Sequence, residues 1–141
     1  MTEERRWSVT AILIGAMVDI GGSFAVGMMI VVIEGVKLVA KGVPQEELTA
    51  RLNADTGYLI SAMVIGLFFS AVGGFVAAKL ARRRELAHGA GAAALSLLFG
   101  LAMADSSVDV LVWDVLSYGL VLPAALLGAA IGRARNRRTV H

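Results

Sequence analysis

The stretch WSVTAILIGAMVDIGGSFAVGMMIVVI, residues 7–33, decides how this chain must fold. Asp19 is its only ionisable side chain. A helix rises about 1.5 Å per residue, so about 20 mostly apolar residues cross a hydrocarbon core of roughly 30 Å. The run is long enough to span a bilayer and places a carboxyl near the middle of the crossing. Every fourth residue gives Ala11, Gly15, Asp19, Ser23 and Gly27. That is one narrow helix face of small residues with the acid at its centre.

The rest of the chain repeats the pattern. Of 141 residues, 57% are hydrophobic and 17% charged, with a mean hydropathy of +0.76. Soluble domains carry about 45–50% apolar and about 25% charged residues. The excess gathers in four runs, at 8–33, 57–80, 87–104 and 108–131. The expected fold is therefore all-α: a four-transmembrane-helix antiparallel bundle forming one membrane domain. Arg5 and Arg6 before the first run resemble the opening of a signal peptide, but the run is too long for a signal h-region and no cleavage site follows. It reads as a retained helix.

Residues 34–56 are the longest polar stretch. Pro44 followed by Gln45, Glu46 and Glu47 signals a helix start, and Leu48 and Leu52 then share a face. A short amphipathic helix over 44–53, lying on the membrane surface or capping the bundle, is expected in this connector. Asp105, Ser106 and Ser107 suit the cap of the fourth helix. Residues 132–141 form a basic tail. Ten of the thirteen Lys and Arg lie in the N-terminus, the second connection and the C-terminus. Positive charge stays cytoplasmic, so both termini are expected on the cytoplasmic side.

Each run carries small residues at four-residue spacing: Gly66, Ser70, Gly74 and Ala78 in the second, Ala92, Ser96, Gly100 and Ala104 in the third, Ala124, Gly128 and Gly132 in the fourth. Close packing through small residues drives helix association in lipid. Which strips face inward, and which face another copy, is open at this point. By depth, Ser70, Ser96, Ser117 and Tyr118 fall level with Asp19 and Ser23, a polar layer near the midplane.

That layer is the first candidate site. An intramembrane acid marks an ion path, a proton relay or a ligand counter-ion. The alternative is a neutral Asp19 bonded to Ser70, Ser96 or a backbone carbonyl as interhelical glue. Gly21 and Gly22 either loosen the helix there or permit close packing. A second candidate is the outer acidic rim of Asp105, Asp109 and Asp114, near Asp55 and Glu34. Clustered carboxylates suit a divalent cation, but acids at a helix N-terminus also complement its dipole. A third is the basic face of Lys79, Arg82, Arg83 and Arg84, for which anionic lipid headgroups are the expected partner. Trp7 and Trp113 read as interfacial anchors, and His88 as a polar boundary residue with pH sensing or phosphate binding as its alternatives.

Absences narrow the function. The chain has no cysteine, so disulfide, thiolate and cysteine-metal chemistry are excluded. Gly89-Ala90-Gly91-Ala92-Ala93-Ala94 has the spacing of a dinucleotide fingerprint, but it follows an arginine-rich turn instead of a strand. There is no P-loop, no HExxH and no Ser/His/Asp set. No enzyme activity, cofactor, metal or nucleic-acid partner is expected.

Val18-Asp19-Ile20-Gly21-Gly22-Ser23, the element Gly73-Gly74-Phe75-Val76-Ala77-Ala78-Lys79, and the turn Arg83-Arg84-Glu85-Leu86-Ala87-His88-Gly89 resemble uncharacterised small four-helix bacterial inner-membrane proteins. The resemblance spans roughly the first three helices. It implies a bacterial four-helix membrane protein and brings no activity with it. Small multidrug transporters share the plan of four helices with one acid in the first, without their detailed pattern here. Small fluoride channels share size and helix count, without their Phe/Thr/Ser-rich pattern.

The leading expectation is a non-enzymatic structural, accessory or assembly protein, associated as a homo-oligomer or with a partner membrane protein. The rival is an oligomeric proton- or cation-coupled transporter or channel with Asp19 as the ion-binding carboxylate. A third reading is a lipid or partner-protein adaptor acting through the basic face.

Overall fold

The computed structural model describes residues 7–103 and 111–138. Asp105 and Asp109, together with Arg5 and Arg6, lie outside the described residues. Five α-helices follow one another: α1 Val9–Ala40, α2 Leu48–Ala54, α3 Thr56–Ala81, α4 Glu85–Met103 and α5 Leu111–Arg138. Four of them, α1, α3, α4 and α5, have the length and hydropathy of membrane spans. The chain is thus an all-helical bundle of four apolar helices.

Two expected boundaries move. The first helix does not stop at 33 but continues to Ala40. Its added turns carry the Glu34–Lys37 ion pair, 2.7 Å, on an exposed face. A pair three residues apart supports the helix beyond the apolar run. The helix ends where Gly42 takes φ +83° and the Val43 N–H donates back to Leu38 O at 3.1 Å. A left-handed residue just past the last turn is the usual helix stop, and glycine meets no Cβ penalty there. At the other end of the chain, the basic tail is helical as far as Arg138. α5 also passes through Pro123 unbroken, although proline leaves the Gly119 carbonyl without its usual i+4 donor.

The connector begins with a 3-10 turn, Gln45–Glu47, which Pro44 precedes in an extended conformation. α2 follows, with Leu52 buried. It lies against α1 and α3. Asp55 then caps α3, its Oδ1 accepting from Tyr58 N at 3.0 Å.

α3 and α4 form the centre of the bundle. α1 and α5 each pack against both, on opposite sides. The packed half lies at the basic end, where α1 and α4 begin and α3 and α5 end. Among the described residues, every buried apolar side chain except Leu52 is an alanine. The core cluster of Ala16, Ala77 and Ala92 sits in this half. Large apolar side chains such as Met17 (71% exposed) and Leu127 (68%) point outward. Lipid offers them an apolar solvent, so backbones approach through Gly and Ala instead.

The glycines fix how close they come. A Cβ at Gly15 would lie 2.7 Å from both Ala77 Cβ and the Gly73 carbonyl. Cβ atoms at Gly74 and Gly128 would run into the backbones of Ala125 and Ala71. α3 therefore uses two adjacent faces: Ser70, Gly73 and Ala77 meet α1, while Gly74 and Ala78 meet α5. On α5 the inward residues are Ala125, Gly128, Ala129 and Gly132; Ala124 of the expected strip is only half-buried.

The basic end is also tied by polar contacts. His88 is 1% exposed. Its Nε2 accepts from the Ser8 N–H at 2.9 Å, and its Nδ1 lies 3.0 Å from the Arg84 carbonyl. A backbone N–H can only donate, and a carbonyl can only accept. The geometry therefore suits the tautomer that carries its proton on Nδ1. Ser8 caps α1 with its Oγ, which accepts from Ala11 N at 3.2 Å. Trp7 packs its ring on His88, centroids 5.3 Å apart, and Arg84 lies over Trp7 at 5.7 Å. Asn136 of α5 donates to the Ala78 carbonyl at 3.1 Å, tying the end of α5 to the end of α3.

Candidate functional site

The close packing ends at Asp19. Toward the other end of the bundle the helices stand apart and line a cavity of about 660 Å³. All four long helices line it, and Asn53 of α2 contributes at the far end. Asp19, Ser70 and Ser96 form its inner end, next to the alanine core. Tyr58, Trp113 and Asp114 line it near the outer ends of α3 and α5.

The inner end is built from three helices. Asp19 is 5% exposed and Ser70 3%. The Ser70 hydroxyl donates to Asp19 Oδ1 at 3.1 Å. Two glycines make this pairing possible. Gly73, one turn beyond Ser70, leaves room for the Asp19 side chain, since a Cβ there would be 2.8 Å from Asp19 Cβ. Gly15, one turn before Asp19, admits α3 in the same way. Ser23 and Ser96 line the cavity with this carboxyl. Ser96 Oγ is buried and has no hydrogen-bond partner.

Most of the expected polar layer converges here. Asp19, Ser23, Ser70 and Ser96 come together, and Ser117 and Tyr118 line the same cavity. Tyr118 does not turn to the acid. Its hydroxyl donates to the Gly100 carbonyl of α4 at 3.2 Å, holding α5 to α4. Gly21 and Gly22 do not break α1, which is continuous through both. Gly22 instead makes room for the Phe69 ring.

The other candidates fare differently. Asp114, the one member of the outer rim among the described residues, faces the cavity. No group of three or more His, Asp or Glu suited to a metal ion occurs among the described residues. On the basic face, Lys79 Nζ lies 5.8 Å from the centre of the Phe75 ring, and Arg135 approaches the same ring at 5.6 Å. Arg82 and Arg84 hold left-handed backbones, φ +53° and +49°, in the turn joining α3 to α4.

Tyr58 and Asn53 belong to the cavity and are missed by the sequence reading. A signal for Tyr58 was present. The strip Ser70 and Gly66, continued outward in steps of four, passes through Ala62 to Tyr58. The same extension on α1 runs from Asp19 through Ser23 and Gly27 to Val31, all of which line the cavity. Each ladder packs against a neighbour at one end and lines the opening at the other. Comparison with known proteins finds no matching family model, no matching curated sequence and no matching solved structure.

Proposed function

We propose that this chain is a small multi-pass membrane protein that takes up a proton or a cation at the Asp19 carboxyl, as an oligomeric carrier or channel without enzymatic activity. The observation that carries this reading is a cavity bounded by all four long helices whose inner end is a buried carboxyl. The charge distribution supports an inner-membrane location with the basic, closely packed end in the cytoplasm. The cavity then lies on the outer side of Asp19. Lys79, Arg82, Arg83 and Arg84 meet anionic lipid headgroups at the inner face.

Magnitudes favour this over a purely structural role. Interhelical hydrogen bonds in membranes are worth about 0.6 kcal/mol on average and about 1.7 at most. Placing an aspartate at a helix centre costs about 2.5–3.5 kcal/mol. The bond from Ser70 does not offset that cost, and a hydroxyl or amide would fix register more cheaply. The accessory reading is nevertheless supported by one observation, the Ser70–Asp19 bond itself, which sets the register of α1 against α3.

Reconstitution in liposomes separates the two. Asp19→Asn keeps an oxygen that accepts from Ser70. The carrier reading expects this variant to assemble as the wild type does and to lose pH-driven cation or proton flux. Flux unchanged in Asp19→Asn, with assembly lost only in Asp19→Leu, would leave the accessory role standing instead.

A further inference from the structure

We propose that the seam between α3 and α5 at the basic end holds one anionic phospholipid. Its phosphate sits between Lys79 and Arg135, and its acyl chains lie along the apolar ridges that lead up to them. The proposal rests on the membrane placement given above and narrows the headgroup contact to one site. It is independent of the carrier reading.

The two helices shape the seam. Gly128 packs on the Ala71 backbone, and a Cβ at Gly132 would lie 2.9 Å from the Phe75 carbonyl. Backbones this close leave the larger side chains on either side of the seam to stand outward. On α5, Leu127, Ile131 and Arg135 follow one another at steps of four, and all three are exposed. On α3, Phe75 and Lys79 follow at the same step. The bond from Asn136 to the Ala78 carbonyl sets the level of the two helix ends. Each helix thus offers an apolar ridge that ends in a cation, and the two cations stand at one level.

These cations converge. Lys79 Nζ lies 5.8 Å from the centre of the Phe75 ring, and the Arg135 guanidinium lies 5.6 Å from the same centre. A long basic side chain near a helix end ordinarily snorkels away from the apolar band, and like charges repel. Here two of them turn to one half-buried ring. Cation–π attraction holds each in place but neutralises neither. Glu85 is the described carboxylate at this end, and it forms an ion pair with neither. A shared anion would neutralise both. A phosphate diester suits the position, because its oxygens accept from an ammonium and from a guanidinium fork at once.

The ridges decide the source of that phosphate. A free phosphate ion would touch only the two charged heads. A phospholipid also lays its chains against Leu127, Ile131 and Phe75, adding many small dispersion contacts.

Lipid add-back provides the test. The full-length protein, stripped of lipid in detergent, is titrated with phosphatidylglycerol, with phosphatidylcholine of the same chains, and with inorganic phosphate. Native mass spectrometry counts what stays bound. The expected result is one phosphatidylglycerol retained per chain, with phosphatidylcholine and inorganic phosphate far weaker. Lys79→Gln with Arg135→Gln should weaken retention about tenfold, and Phe75→Leu about threefold. Arg137→Gln with Arg138→Gln removes the same charge from the exposed helix end and should change it less than about twofold. Lys79→Arg keeps the charge and should retain the lipid. Helix content and the lipid-free unfolding midpoint report that each variant is folded, and Lys79→Gln alone serves if the double variant is not. Equal loss in the two double variants would reveal diffuse attraction to a basic surface and overturn the proposal. Equal retention of the two lipids would mark a merely apolar seam, and inorganic phosphate binding as tightly as the lipid would mark a soluble anion site; either result also overturns it. Retention is read without any flux. Its loss therefore leaves the carrier reading standing, and a protein without flux that holds the lipid does the reverse.

Discussion

His88 shows how a residue's surroundings decide its role. A histidine after a run of arginines at the membrane boundary reads as a polar edge residue. In the fold it is buried, and both ring nitrogens are committed, one to the Ser8 N–H and one to the Arg84 carbonyl. It fastens the start of α1 to the start of α4. His88→Ala leaves the Ser8 N–H without its acceptor and opens a void beneath Trp7. The loss should cost about 1–3 kcal/mol of stability. Hydrogen exchange at the Ser8 amide should rise well above that of amides near Asp19; equal protection in variant and wild type would show that the contact does not hold the helix end. Asp19 is the opposite case. Its depth and the absence of a basic partner are written in the sequence, but its contact with Ser70 and its place at the inner end of a cavity are not.

Among the elements, the α3–α4 turn is the most constrained. Arg82 and Arg84 both take left-handed backbone angles, which cost a non-glycine residue about 1–2 kcal/mol each. Arg82 closes α3, its N–H donating to Ala78 O at 3.3 Å. Arg82→Gly relieves the strain and gives back part of it as chain entropy. The net expectation is a gain of roughly 0.5–1 kcal/mol, read as a higher unfolding midpoint in detergent micelles. A lower midpoint would mean that the arginine side chain contributes more than its backbone costs. α1 carries a different lesson. Its apolar run ends at Ile33, yet the helix continues to Ala40, because an i,i+3 ion pair sustains it in a polar setting until Gly42 turns the chain.

For the whole molecule, the described residues pack closely at one end of the bundle and line the cavity toward the other. Where α3 meets α5 the backbones touch through Gly74 and Gly128, and there is no room for a side chain. Gly128→Leu should therefore destabilise by about 3 kcal/mol or more. Gly27 and Gly66 belong to strips of the same kind, but a Cβ on either meets nothing within 4 Å. Both line the cavity. Gly27→Leu and Gly66→Leu should change stability by no more than about 0.5 kcal/mol while filling part of the chamber. Thermal unfolding of the three variants checks the contrast. Similar losses in all three would mean that the open end closes in the membrane.

The sequence by itself determined the four spans, the antiparallel course of the chain and the concentration of basic residues at one end. These follow from local and additive quantities: apolar run length, caps and counts of charge. It also placed a carboxyl and several hydroxyls at one level. What it left open was which faces meet. α3, for one, carries small residues on two adjacent faces, and either could have met α1. Close packing is decided by whole surfaces fitting together, and small residues at a four-residue spacing do not distinguish a face pressed against a neighbour from one that lines a gap. Only the tertiary structure decided that the ladders pack below Asp19 and part above it. The cavity exists because the helices splay, a property of the assembled bundle that no single run of residues encodes.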